Sequence, residues 1–124
     1  MKNIRLLFLF LFCLFGQLIS SRPNIYFRSL GVEEGLSQNM VYAICQDRQG
    51  FMWFGTQDGL NRYDGHSFKI YKKDVIYPDG LKSDAIFSLK EDRNGNLWVG
   101  TDNGVYLYNP IYDHFTRIPL YDNR

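Results

Sequence analysis

Cysteine, histidine and surplus charge are all scarce in this chain. Its 124 residues hold 2 Cys, 2 His and 14 Lys+Arg against 13 Asp+Glu, a formal net charge of +1. So even a balance leaves no basic footprint for a nucleic-acid groove or an anionic membrane surface, and nucleic acid is not an expected partner. A membrane span is not expected either. The apolar stretch 6–19 has 14 residues, roughly 21 Å as a helix against a hydrocarbon core of about 30 Å. The length allows one small domain at most.

What the chain has instead is two kinds of segment. Phe8, Phe10, Phe12 and Phe15 crowd the start, whereas all 9 Tyr lie beyond residue 25. Lys2 and Arg5 precede the apolar run, and Gly16, Gln17, Ser20 and Ser21 follow it with small and polar side chains. This is the layout of a secretory signal peptide, 1–20, cut near Ser20 or Ser21. Cys13 lies within the apolar run, which does not suit a lipoprotein acylation site. Without the leader, only Cys45 remains and no intramolecular disulfide can form, so an exported domain must be held by packing.

The remainder repeats. At a fixed offset of 45 residues, 35–64 aligns with 80–109 without a gap and with 10 identities in 30 positions. They are Gly35/Gly80, Leu36/Leu81, Asp47/Asp92, Arg48/Arg93, Gly50/Gly95, Trp53/Trp98, Gly55/Gly100, Thr56/Thr101, Gly59/Gly104 and Tyr63/Tyr108. Each copy alternates short apolar runs with turn residues and shows no sustained helical period. Strands are expected at 41–46, 51–55, 60–63 and 68–71 in the first copy. In the second they fall at 86–91, 96–100, 105–108 and 115–118, the last after a two-residue insertion. Four short antiparallel strands per period of about 45 residues define a β-propeller blade. The fold class is therefore all-β, with two four-stranded blades at 35–74 and 80–120 and an incomplete ring. Residues 25–34 contain a third, partial copy, Phe27-Arg28-Ser29-Leu30 before Glu34-Gly35-Leu36, expected as an orphan closing strand. Residues 121–124 stop in mid-pattern, as a truncated end would.

The signature Asp-x-x-Gly-x-Φ-Trp-Φ-Gly-Thr-x-x-Gly-Φ-x-x-Tyr, with Φ apolar, occurs at 47–63 and again at 92–108. It closely resembles the two-component regulator propeller repeat, and the opening Tyr26 to Ser37 after a leader resembles the periplasmic sensor of Bacteroidetes hybrid two-component systems. The resemblance covers residues 25–120. It implies an exported, periplasmic N-terminal piece of a ligand-sensing propeller, oligosaccharide as the ligand of the intact parent, and control of polysaccharide use. The family's histidine kinase lies outside this stretch, so no enzyme activity is expected of it.

The recurring residues read first as scaffold. Trp53 and Trp98 hold one blade position and fill space between neighbours. Asp47 and Asp92 fix hairpin turns, in which Gly50 and Gly95 supply positive φ. Gly55 and Gly100 admit close backbone approach, Thr56 and Thr101 bond near the second turn, and Gly59, Gly104, Tyr63 and Tyr108 complete the pattern. The run from Asp92 to Asn96 has alternating oxygen donors, but its glycine is fourth rather than sixth and the sister copy has Gln49 and Phe51 at ligand positions, which argues against calcium. His66 and His114 fit no zinc spacing and read as exposed loop residues. No metal, cofactor or catalytic residue is expected, because the acids recur at turns rather than converging on one concavity.

Recognition is instead expected of residues that break the repeat, on the face shared by the connections between blades and the second hairpin turns. These are Tyr77 and Asp79 in the long connection 72–84, with Gln57, Asp58, Asp102 and Asn103; an aromatic with flanking amides and carboxylates suits a sugar. Two stacked blades also leave two apolar faces open, so the missing blades or another chain are expected partners. The alternatives are a stand-alone secreted module that completes its ring by oligomerising and, less favoured, a piece of a propeller enzyme.

Overall fold

The computed structural model describes residues 2–15 and 21–121. One helix, α1 (Lys2–Phe15), covers the apolar leader, and the remaining regular structure is a 3-10 turn at Val32–Glu34 and eight strands. These are β1 (Val41–Gln46), β2 (Met52–Thr56), β3 (Gly59–Tyr63), β4 (Phe68–Tyr71), β5 (Ile86–Glu91), β6 (Leu97–Thr101), β7 (Gly104–Asn109) and β8 (His114–Arg117). They form two four-stranded sheets in simple sequential order, β1-β2-β3-β4 and β5-β6-β7-β8, with every pair antiparallel. The ring is not closed.

Strands begin and end where the turn chemistry puts them. The β1–β2 hairpin closes over Asp47-Arg48-Gln49-Gly50, where Gly50 has φ 94°, and the β5–β6 hairpin over its counterpart with Gly95 at φ 83°. A left-handed φ of this size favours glycine over any residue with a Cβ. The second strand of each sheet ends one residue later and the third starts one residue earlier than expected, because Thr56 and Thr101 pair with Gly59 and Gly104 and carry the ladder to the turn. Ladder pairing likewise starts β8 at His114, opposite Asn109, and so places it one residue earlier than expected.

Side-chain alternation decides how the sheets stack. On one face of the first sheet Trp53, Gly55, Leu60, Arg62, Lys69 and Tyr71 lie across from each other in register. Facing them, the second sheet presents Leu97, Val99, Tyr106, Tyr108 and Phe115, and together with Ile86 and Leu81 these make one buried cluster. The Trp53 ring sits 4.9 Å from Tyr108 and 5.7 Å from Tyr71, ring centre to ring centre. Burial of these aromatic and aliphatic side chains between the facing sheets holds the blades together.

Residues 21–30, where the closing strand is expected, carry no strand here, and Phe27 is 93% exposed. A strand is defined by its ladder, and 27–30 has no neighbouring sheet edge to pair with. The expected cleavage position at Ser20 and the stop at 122–124 lie outside the described residues. No helix among those described is long and apolar enough to cross a membrane.

Candidate functional site

The recurring motif is a hydrogen-bonded unit, built the same way twice. Asp47 Oδ1 accepts from the backbone N–H of Gln49 (2.9 Å) and Phe51 (3.0 Å), while Oδ2 accepts the Trp53 indole N–H at 2.8 Å. Asp92 does the same for Asn94, Asn96 and Trp98, at 2.9 Å each. The indole N–H, then the Asn96 amide and backbone N–H, hold the Asp92 carboxyl far below the usual carboxylate range. The acid thus closes the hairpin and orients the tryptophan in one stroke, and both its oxygens are engaged in donors rather than open to a cation. At the other end Thr56 Oγ1 donates to the Gly59 carbonyl (2.9 Å) and accepts from the Asp58 N–H (3.0 Å), a pattern repeated by Thr101 with Gly104 and Asn103.

Burial separates the two copies. Trp53 and Leu60 are 0% exposed and Thr56 is fully buried, whereas Trp98, Thr101 and Val105 are only half-buried. The chemistry is identical; what differs is that the second sheet covers the first, while among the described residues no sheet covers the far face of the second. Gly55 shows how close that cover is, since a Cβ there would lie 2.8 Å from Ile86 Cγ2 and 3.0 Å from the Ile86 carbonyl oxygen. Arg48 latches the same junction: its backbone N–H donates to Glu91 at 2.8 Å and its guanidinium to the Arg93 carbonyl at 2.7 Å.

The expected recognition residues fall into two groups. Gln57 and Asp58 form the β2–β3 turn, Asp102 and Asn103 the β6–β7 turn, and all four are exposed. The first turn does share its face with the end of the inter-blade connection, because the Gly59 N–H donates to the Asp84 carbonyl at 2.6 Å. Asp58 pairs with Lys72 at 2.5 Å, and Gln57 accepts the Tyr42 hydroxyl at 2.5 Å. Tyr42 and its counterpart Phe87 were not expected to matter beyond filling the pattern. Each sits at a register shift in its innermost strand, β1 or β5, and their rings meet at 5.1 Å while 41% and 46% exposed. A bulge cannot be read from strand alternation, so no sequence signal marked them.

Tyr77 and Asp79 lie elsewhere. The connection after β4 runs along the outer edge of β8, where the Asp79 carbonyl accepts the Arg117 N–H at 2.9 Å and Tyr77 stacks on His114 at 6.1 Å. It blunts an edge that would otherwise present an open ladder. Among the described residues no hydrogen bond or ion pair joins Tyr77 or Asp79 to the Gln57 and Asp102 turns. Beside this connection, at the outer junction of the blades, is a cavity of about 340 Å³ lined by Ile70, Tyr71, Lys73, Ile76, Asp113 and His114, among others.

Asp113, from the inserted turn before β8, anchors that junction. It pairs with Lys69, and its Oδ1 accepts the hydroxyls of Tyr71 (2.6 Å) and Tyr108 (2.7 Å). Burial works to raise its pKa, but Lys69 and the two hydroxyls outweigh that and lower it to about 2. The same burial, with the neighbouring carboxylate, raises the Tyr71 and Tyr108 hydroxyls. His114 is half-buried between Tyr77 and Tyr112 rather than exposed in a loop, whereas His66 is exposed in its turn.

Comparison with known proteins agrees with this architecture. Residues 35–58 and 80–103 each match the two component regulator propeller family. A 75-residue stretch is 43% identical to histidine kinase P4 of Formosa agariphila, spanning 60% of this chain and 6% of that protein. Among solved structures, the extracellular domain of one hybrid two component system from B. thetaiotaomicron superposes with a TM-score of 0.65 at 33% identity, over 73% of this chain and 13% of its own. A second from the same organism gives 0.61 at 25% identity, over 79% of this chain and 14% of its own. The chain thus spans a small part of each relative's length, and the kinase named in the Formosa protein has no counterpart among the eight strands and one helix described here. The signature is thus present twice, folded as two consecutive blades, and both copies are similar to the two component regulator propeller repeat.

Proposed function

We propose that this chain forms part of the extracytoplasmic sensor propeller of a hybrid two-component system, reached by export on the leader that α1 covers, and that the ligand sensed is an oligosaccharide whose arrival regulates polysaccharide use. The observation that carries the reading is the pair of stacked blades and their likeness to extracellular domains of such systems at a TM-score of 0.65. The leader supports export: α1 is 14 residues long, with Lys2 and Arg5 at its start. The sugar reading rests on the aromatic, amide and carboxylate side chains that stand outside the scaffold, a set that matches an apolar ring face and its hydroxyls.

Export is tested by fusing residues 1–25 to alkaline phosphatase lacking its own leader; activity in the periplasm is expected, and activity confined to the cytoplasm overturns that part. Sensing is tested by deleting the gene in its host and profiling transcripts on single polysaccharides. Loss of induction of one degradation locus on one polysaccharide is expected, and unchanged induction on all of them contradicts the reading.

One observation favours a second reading, a module that completes its ring with further copies of itself. The half-buried face of the second blade, Trp98, Val105 and Leu107, is complemented by Met52, Phe54, Tyr63 and Phe68 on the open face of the first, which occupy the repeat positions of Leu97, Val99, Tyr108 and Phe115. Sedimentation velocity across a concentration series separates the two readings, since only the second requires closed oligomers.

A further inference from the structure

Arg48 and Arg93 hold the same repeat position, yet only Arg48 is engaged. Its guanidinium lies across the first turn of the second blade, donating to the Arg93 carbonyl at 2.7 Å and pairing with Glu91 at 3.5 Å. It also fills the space over Gly95, where a Cβ would lie 2.9 Å from the Arg48 Nε. The first blade has the same Asp-x-x-Gly turn, and nothing lies within 4 Å of the Cβ position at its Gly50. Arg93 is exposed, and among the described residues no acceptor takes its guanidinium. The blade pair therefore carries an unused latch at one end and an unused socket at the other.

The faces beside latch and socket fit each other by the same repeat logic. Trp98 is half-buried where Trp53 packs on Tyr108, and the position of Tyr108 is held in the first blade by Tyr63, on its open face. That open face is already edged as the second blade is. The Ser37 N–H donates to Asn61 Oδ1 at 2.9 Å, just as the Lys82 N–H at the same repeat position donates to the Tyr106 hydroxyl at 3.3 Å, and Leu36 is buried like Leu81.

Charge has changed on both sides together. Between the two blades, Arg62 and Lys69 of the first meet Asp113 of the second. On the outgoing face of the second blade Leu107 and Thr116 stand in place of the two cations, and the first blade lacks the inserted turn that carries Asp113. Asp64, in the shorter turn there, is committed to the N–H groups of His66 and Ser67. Lys90, the cation that the outgoing face does carry, lies on its innermost strand and is exposed. A blade with an acid at the position of Asp113 would leave that acid unpaired against Leu107, at the cost of an uncompensated buried charge, so the face selects a blade without one. The first blade of this chain meets that condition.

We propose that the Gly50 turn is a guanidinium socket for Arg93 of a second copy of this chain, and that copies join head to tail, the outgoing face of one second blade on the open face of the next first blade. This rests on the second reading above, assembly from further copies, and adds the contact that sets its register. The carbonyls of Asp47 and Arg48 receive the guanidinium, and Gln46 stands where Glu91 completes the pair with Arg48. Ring closure at about four to eight blades takes about two to four copies.

Sedimentation velocity of the full chain over a concentration series tests the socket, comparing the parent with Arg93→Glu, Gln46→Glu and the double variant. The parent is expected to associate, and Arg93→Glu to weaken association at least about ten-fold. Gln46→Glu supplies the carboxylate that Glu91 gives to Arg48 and tightens association about two- to five-fold, a gain lost in the double variant. Both residues are exposed, and equal melting temperatures of the dilute variants exclude a folding cause. Association that Arg93→Glu leaves unchanged overturns the socket and leaves assembly from copies standing. A Gln46→Glu chain that associates no more tightly than the parent overturns the placing of Arg93 beside Gln46, and a parent that stays monomeric at every concentration overturns the assembly reading together with this one.

Discussion

Replacing the two signature tryptophans one at a time gives very different costs if the motif fills the space between blades. Trp53 is 0% exposed, donates its indole N–H to Asp47 at 2.8 Å, and packs on Tyr71 and Tyr108 with the Arg62 guanidinium 5.7 Å from its ring centre. Truncation to alanine leaves a cavity between the sheets and costs about 3–5 kcal/mol. Trp98 makes the equivalent bond to Asp92, at 2.9 Å, but one of its faces is open. Its truncation forfeits about half the burial and one hydrogen bond, about 1–2 kcal/mol. The difference of about 2–3 kcal/mol corresponds to roughly 10–20 °C in Tm for a domain of this size. Urea denaturation followed by far-ultraviolet circular dichroism measures both variants against the parent chain. Equal losses, or a larger loss for Trp98→Ala, would refute the argument, because identical sequence contexts would then be identically packed.

Other perturbations follow from the same contacts. Gly55→Ala drives a methyl into the Ile86 backbone carbonyl and costs about 1–3 kcal/mol, whereas at Gly100 the nearest atom is the Ser88 hydroxyl, which can rotate away, so Gly100→Ala costs less in the same urea assay. Thr56→Val removes, from a fully buried side chain, the donor to the Gly59 carbonyl and the acceptor of the Asp58 N–H, and costs about 1–3 kcal/mol, more than Thr101→Val at the half-buried copy, as differential scanning calorimetry would show. Asp113 titrates at about 2, below its unfolded value, so its contribution to stability is complete above pH about 4 and is lost as pH falls toward 2. Melting temperatures from pH 6 to pH 2 should therefore fall more steeply for the parent than for Asp113→Asn, and parallel curves would contradict the Lys69, Tyr71 and Tyr108 network.

Much of the blade was legible because its turns are chemically explicit. Asp47 and Gly50, and again Asp92 and Gly95, announce a hairpin whose acceptor and positive φ the structure then uses, and the fixed spacing to Trp53 and Trp98 follows from one carboxylate serving both turn and indole. Boundaries slipped by a residue at Thr56 and Thr101, where the ladder runs into the turn. The rest depended on contacts between distant residues. The course of 72–81 along β8 is set by Asp79 meeting Arg117, which no local pattern encodes. His114 meets the rings of Tyr77 and Tyr112, and Asp113 takes Lys69 and Tyr71 from the neighbouring blade and Tyr108 from its own, so neither role could be read from a loop composition. The bulges at Tyr42 and Phe87 were hidden because alternation alone counts them as ordinary strand residues.

The central claim is that the two repeats stand face to face as consecutive blades, so that one signature is buried by its neighbour while the other remains open. Nuclear Overhauser contacts in a methyl- and aromatic-labelled sample test it most directly. The account predicts cross-peaks between the Trp53 indole and the Tyr108 ring, whose centres lie 4.9 Å apart, and between the Gly55 α-protons and the Ile86 methyl groups. Cross-peaks confined to pairs within each sheet, with the Trp53 and Trp98 indoles equally open to a soluble paramagnetic probe, would contradict it.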